Sequence, residues 1–164
     1  MSPKFAPPSA TAITLVTVTT NYLRAALANL PNPSADWLRA TGFTASIGEM
    51  AALPNADGSI QAVYVGLGAK GQTRVRFGIA AAAAKLPAGT YVLDTILAGP
   101  ALEEAALGLL LSLYQFDRYK AAPAQDLAFV APTGIDAVRI EALAAGECLT
   151  RDLINTPASD MGPD

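Results

Sequence analysis

The sequence predicts a three-layer α/β/α domain built on a mixed β-sheet, and three observations carry that expectation. Strand-like runs, β-branched or apolar, recur at residues 12–19, 60–65, 90–97 and 126–131. From residue 73 onward they alternate with helical patterns, as in strand–helix–strand units. Ahead of that, Asn55-Ala56-Asp57-Gly58 is a turn between two short apolar segments, which makes an antiparallel hairpin. Hairpin first and alternation later requires a sheet of mixed direction, with helices on both faces.

The elements follow in order. Residues 1–10 are Pro-rich and read as a loose arm, 11–154 as one domain, and 155–164 as the start of a linker. AITLVTVT at 12–19 alternates and forms the first strand. Residues 21–30 make a short helix ended by Pro31 and Pro33, and Ser34 is the expected N-cap of a second, carrying Trp37 and Leu38 and closed by Gly42. Residues 43–53 and 60–65 are the arms of the hairpin. A helix over 73–86 contains five consecutive alanines at 80–84, small enough to lie close to a sheet. Pro87 and Gly89 break it before the strand at 90–97. The helix from Ala101 to about Tyr114 is apolar on most sides, so it should be covered on most sides. After the strand at 126–131 comes a long closing helix. Its apolar residues Val138, Ala142, Ala145, Leu149 and Leu153 form one stripe, expected to be buried on the sheet. Arg139, Glu141, Glu147, Arg151 and Asp152 carry its polar side. Pro157 should stop it after Asn155, with a mobile tail beyond.

Composition narrows function. The chain of 164 residues is 52% hydrophobic and 15% charged, with net charge −3 and a pI near 4.8. That balance suits one packed domain and argues against binding nucleic acid or an anionic membrane surface over a broad face. The most apolar stretch, 105–113, is far shorter than the roughly 20 residues that cross a bilayer. The N-terminus has no convincing secretory pattern and there is a single cysteine, so a cytoplasmic protein is expected. There is no histidine. Ser-His and Cys-His nucleophile activation are thereby removed, together with the commonest transition-metal ligand.

Gly66, Gly68 and Gly71 spell G-x-G-x-x-G between a strand and a helix, as in loops that cradle a pyrophosphate at a helix N-terminus. Arg74 and Arg76 could add positive charge, and Asp94 stands where a ribose-binding acid would be sought. Against this, Asp94 is expected inside its strand, with Thr95, Ile96 and Leu97 following, and the motif does not open a βαβ unit. Asp57, Asp94, Asp117 and Asp126 are scattered without general acid–base spacing. Glu103 and Glu104 occupy a helix first turn, where the macrodipole accounts for them. Cys148 reads as a packed thiol, and Tyr114, Phe116 and Tyr119 with Arg118 and Lys120 as a helix end and its packing. The residues thus give no catalytic, metal-binding or cofactor-binding set, apart from the phosphate-loop reading of Gly66, Gly68 and Gly71.

Two segments carry a family resemblance. RIEALAAGECLTRDLINTPASDMGPD, through Leu149, Arg151, Asp152, Leu153, Asn155, Pro157 and Ala158, resembles the junction of cytosol (leucyl-type) aminopeptidases. Leu107-Gly108 followed by Tyr114-Gln115-Phe116-Asp117-Arg118-Tyr119-Lys120 is similar to a second segment of that family, with a longer spacing after Gly108. The resemblance implies a macro-domain-like fold and assigns Arg151, Asp152, Asn155 and Pro157 to an interdomain junction. It also implies a parent enzyme that removes N-terminal residues from peptides with two divalent metal ions, zinc or manganese, and assembles as a homohexamer. Within such a parent, this domain would serve oligomer assembly and access to the active site, with the peptidase domain of the same polypeptide as its partner. The family string N-T-D-A-E-G-R of that peptidase domain does not occur here. No position inherits a catalytic or metal role, the chain is expected to end just past the junction, and by itself it should be inert. The alternatives are a macro-like or dinucleotide-binding module using the loop 66–71, and a nucleic-acid or protein adaptor.

Overall fold

The computed structural model describes residues 3–71, 75–121 and 126–161. Among them, five strands form one sheet in the order β2-β3-β1-β4-β5. They are β1 (Ile13–Val18), β2 (Met50–Pro54), β3 (Ile60–Gly66), β4 (Gly89–Asp94) and β5 (Leu127–Phe129). β2 and β3 are the antiparallel hairpin expected around 55–58, and the β3–β1, β1–β4 and β4–β5 pairs are parallel. The mixed sheet is the one the order of elements demands.

Period-2 alternation sorts the side chains into two faces. Leu15, Val63, Val65, Tyr91 and Phe129 are buried with Ile79, Ala82 and Ala83 of α3 (Val75–Ala83) and with Ala105 and Leu109 of α4 (Pro100–Ser112). Val18, Ala51, Leu53, Ala62 and Tyr64 turn the other way, onto Leu38 of α2 (Asn32–Ala40), with Leu23, Ala26 and Leu27 of α1 (Leu23–Ala28) beside them. Within the N-terminal arm, Ala6 bridges to Val130 and Phe5 packs against the core.

α4 is apolar nearly all round, and the fold uses every side. Its residues Ala106, Leu107, Leu110 and Leu111 face away from the sheet and meet Ile140, Ala144 and Cys148 of α5 (Ala137–Asn155). α5 therefore lies on the outer side of α4 and not on the sheet. The stripe expected to be buried is the wrong face of α5. Ile140, Ala144 and Cys148 are 1%, 0% and 6% exposed, whereas Val138, Leu149 and Leu153 are 78%, 60% and 53% exposed. The helix carries two apolar faces, and the heavier one is left outside.

Several element boundaries also differ, and the first hairpin arm, expected over 43–53, is a strand only from Met50. α2 begins at Asn32 with Pro31 at the N-cap, so Ser34 lies inside it. Pro33 sits in the first turn, where its missing N–H would have had no helical partner. Gly42, at φ 71, closes the helix as expected. β4 ends at Asp94 rather than continuing to Leu97. The Thr17 hydroxyl donates to Thr95 Oγ1 at 2.6 Å, and that oxygen accepts from the Leu97 amide at 3.1 Å. A side chain thus replaces the strand ladder and turns the chain.

Candidate functional site

The two segments that carry the resemblance meet in space at the C-terminal end of α5, through residue pairs 38 to 41 apart in sequence. Asp136 starts that helix by accepting the Arg139 amide at 3.1 Å. Arg139 then pairs with Glu103 of α4 at 2.7 Å, which gives Glu103 a partner beyond the helix dipole. α5 stops at Asn155, and Thr156 is extended at φ −85, ψ 125 ahead of Pro157, as the proline requires.

At this end α4 stops at Ser112, so Tyr114 and Tyr119 lie on the loop after it rather than on the helix. The Tyr114 hydroxyl donates to Asp152 Oδ1 at 2.9 Å and accepts from Asn155 Nδ2 at 3.1 Å. The Arg151 guanidinium lies 5.3 Å from the centroid of the Tyr114 ring. Arg118 donates to the Thr156 hydroxyl oxygen at 3.4 Å, and that hydroxyl donates to the Asp152 carbonyl at 2.7 Å. Tyr119 donates to Asp160 in the short 3-10 turn Ala158–Asp160, with Arg118 over its ring. This bond holds the Asp160 carboxyl below its ordinary 3.8, with help from Ser159, and holds the Tyr119 phenol above 10.0. Arg151, Asp152 and Asn155 are therefore brought together. The sequence reading missed what receives them: Tyr114 and Arg118, with Thr156, and beside them the Tyr119–Asp160 pair. Their common signal was that both segments carried the same resemblance.

The glycine loop is built differently from a phosphate cradle. Gly66 donates to Glu49 O, Leu67 to Val18 O, Gly68 to Ala45 O and Lys70 to Asn21 Oδ1, at 2.8–3.1 Å. Four amides that could face an anion are already engaged. Gly66 is needed for close approach, because a Cβ there would lie 2.0 Å from the Ser46 carbonyl oxygen. Gly68 and Gly71 supply positive φ, 74° and 88°. Arg74 and the side chain of Arg76 fall outside the described residues. Asp94 does stand at a strand end, in a crevice of about 190 Å³ with Thr17, Tyr22 and Thr95. Asp94 is thus the last residue of β4 and not the mid-strand residue expected, yet the engaged amides weigh independently against a phosphate.

Cys148 is buried against α4, and burial pushes its thiol up from 9.0. Among the described residues no three His, Cys, Asp or Glu side chains are grouped to hold a metal ion, and no helix is long and apolar enough to cross a membrane.

Comparison with known families decides the relationship. Residues 13–132 match the M17 aminopeptidase N-terminal domain. The chain belongs to that family.

Solved structures agree. Bottromycin maturation enzyme BotP is 30% identical over 93% of this chain, with a TM-score of 0.67, and a further BotP structure, in complex with Mn, is 28% identical over 94%. Cytosol aminopeptidase from Coxiella burnetii, at 24% identity over 96% of the chain and a TM-score of 0.78, shares the fold. The M17 N-terminal domain chain spans only 34% of that structure and 35% of BotP. No curated protein matches.

Proposed function

We propose that this chain is the non-catalytic N-terminal domain of a cytosol-type M17 aminopeptidase, serving assembly of the enzyme and access to its active site. In this reading a peptidase domain in the same polypeptide, with two divalent ions, removes N-terminal residues from peptides in the cytoplasm, and the enzyme assembles as a homohexamer. The observation that carries it is the polar lock at the end of α5, in which Tyr114 joins Asp152 and Asn155. A long helix whose exit is anchored so specifically is suited to setting the direction in which a following domain leaves. The manganese named with a BotP structure favours manganese as the parent's metal.

The test is hydrolysis of a leucyl anilide. The chain alone, supplied with manganese or zinc, is expected to release no leucine. Metal-dependent release that persists through repurification would overturn the reading. The alternative, a phosphate- or nucleotide-binding module, is opposed by the engaged amides of the loop 66–71. Calorimetric titration with ADP-ribose or NAD is accordingly expected to be flat at millimolar ligand.

A further inference from the structure

We propose that the outer stripe of α5 is the docking face for an M17 peptidase domain; the inference rests on the reading above and adds the surface to it. Val138, Ala142, Ala145, Leu149 and Leu153 follow one another at spacings of four, three, four and four, a continuous ridge along the helix. Taking 100° per residue, the ridge lies on the side of α5 opposite the Ile140–Ala144–Cys148 face that α4 covers. Its three large members are more than half exposed. Scattered single exposed leucines need no account, but an aligned apolar ridge on a helix already covered on its other side does.

Two observations select the occupant. The chain matches about a third of the length of the M17 structures compared, so in those proteins roughly twice its length of polypeptide stands outside this domain. The ridge also runs up to Leu153, immediately before the helix exit at Thr156, and is thus continuous with the point where the chain departs. A body attached there reaches the ridge without a long connection. A second copy of this domain has no such continuity.

The test compares the isolated chain with a chimera in which this chain, complete, replaces the matching N-terminal third of BotP. Each is made unsubstituted and with Leu149→Glu and Leu153→Glu together. In the isolated chain the substitutions sit in solvent, and melting should move by no more than about 2 °C. In the unsubstituted chimera, amides of residues 142–153 should exchange about tenfold more slowly than in the isolated chain, and the paired substitution should erase that protection. Protection that survives the substitution overturns the surface while leaving the pairing with a peptidase domain intact. A chimera that fails to assemble, or in which α5 exchanges as it does alone, overturns both. An isolated chain that dimerises with concentration, and is returned to monomer by the substitution, assigns the ridge to a second copy and overturns the proposal.

Discussion

At the scale of single residues, Gly66 is the most closely approached of the described glycines. It is the last residue of β3, its amide binds Glu49 O, and the backbone of the adjoining loop passes where a side chain would begin. The atoms in the way are Ser46 O and Ala45 C, both backbone, so no rotamer change can relieve the overlap. Gly66→Ala should therefore cost about 3 kcal/mol or more, against roughly 1 kcal/mol for an ordinary substitution. Urea unfolding would measure it, and a loss under 1 kcal/mol would show that the loop yields. Asp160 offers a second test. Its folded-state ionisation lies below 3.8 because the Tyr119 hydroxyl donates to it. A depressed carboxyl contributes its stabilisation above the unfolded value and loses it as pH falls through the folded one. The Tyr119 phenol, raised above 10.0 by the same bond, contributes below that pH and loses its share as pH climbs through the folded value. The tail is thus held most firmly between about pH 4 and pH 10. Carboxyl NMR should find the Asp160 midpoint under 3.8, and Tyr119→Phe should move it upward. An unmoved midpoint would mean that the bond is absent in solution.

Among the elements, α5 shows what periodicity can and cannot reveal. Helical spacing identified the element, its extent and its stop before Pro157. It could not choose between two apolar faces, since Ile140, Ala144 and Cys148 are also four apart and look no heavier than the ridge opposite. The choice was made by α4, whose outward residues Ala106, Leu107, Leu110 and Leu111 accept small side chains at Ala144 and Cys148. That complementarity is a property of two helices together, and neither sequence segment states it. Ile140→Ala should accordingly lose about 3 kcal/mol, whereas Leu149→Ala in the isolated chain should stay within about 0.5 kcal/mol. Equal losses would return α5 to the orientation first expected from its stripe. The strands were more legible, because the alternation in 12–19 and 60–65 and the Asn55–Gly58 turn act locally. The end of β4 was not legible, since it depends on a bond from Thr17 to Thr95 across two strands. The polar cluster at the end of α5 was half legible. Arg151, Asp152 and Asn155 stood out in their own segment, but the tyrosine that gathers them comes from residues after α4.

For the molecule as a whole, the layers are unequally secured. The sheet is packed on both faces, and β1 is paired on both sides, to β3 and β4. α5 rests on α4 through a single apolar face. Among the described residues its other ties are mostly polar and include Arg139 to Glu103, the Phe5 amide to Glu141 Oε1 at 3.0 Å, Tyr114 to Asp152 and Asn155, and Arg151 over the Tyr114 ring. Partly exposed ties of this kind hold about 1 kcal/mol each, too little to match a second packed face. α5 should therefore open as a unit at lower free energy than the sheet does. Hydrogen exchange on the isolated chain is expected to show residues 140–153 exchanging ahead of 14–18 and 62–66. Tyr114→Phe should widen that gap by freeing the end of the helix, while leaving exchange in β1 and β3 as it was. Were α5 to exchange as slowly as β1, the helix would belong to the same cooperative unit as the sheet, and its single packed face would be sufficient. On the function proposed above the difference matters, because a peptidase domain covering a helix that is marginal alone would couple the order of the C-terminal end of α5 to the presence of that domain.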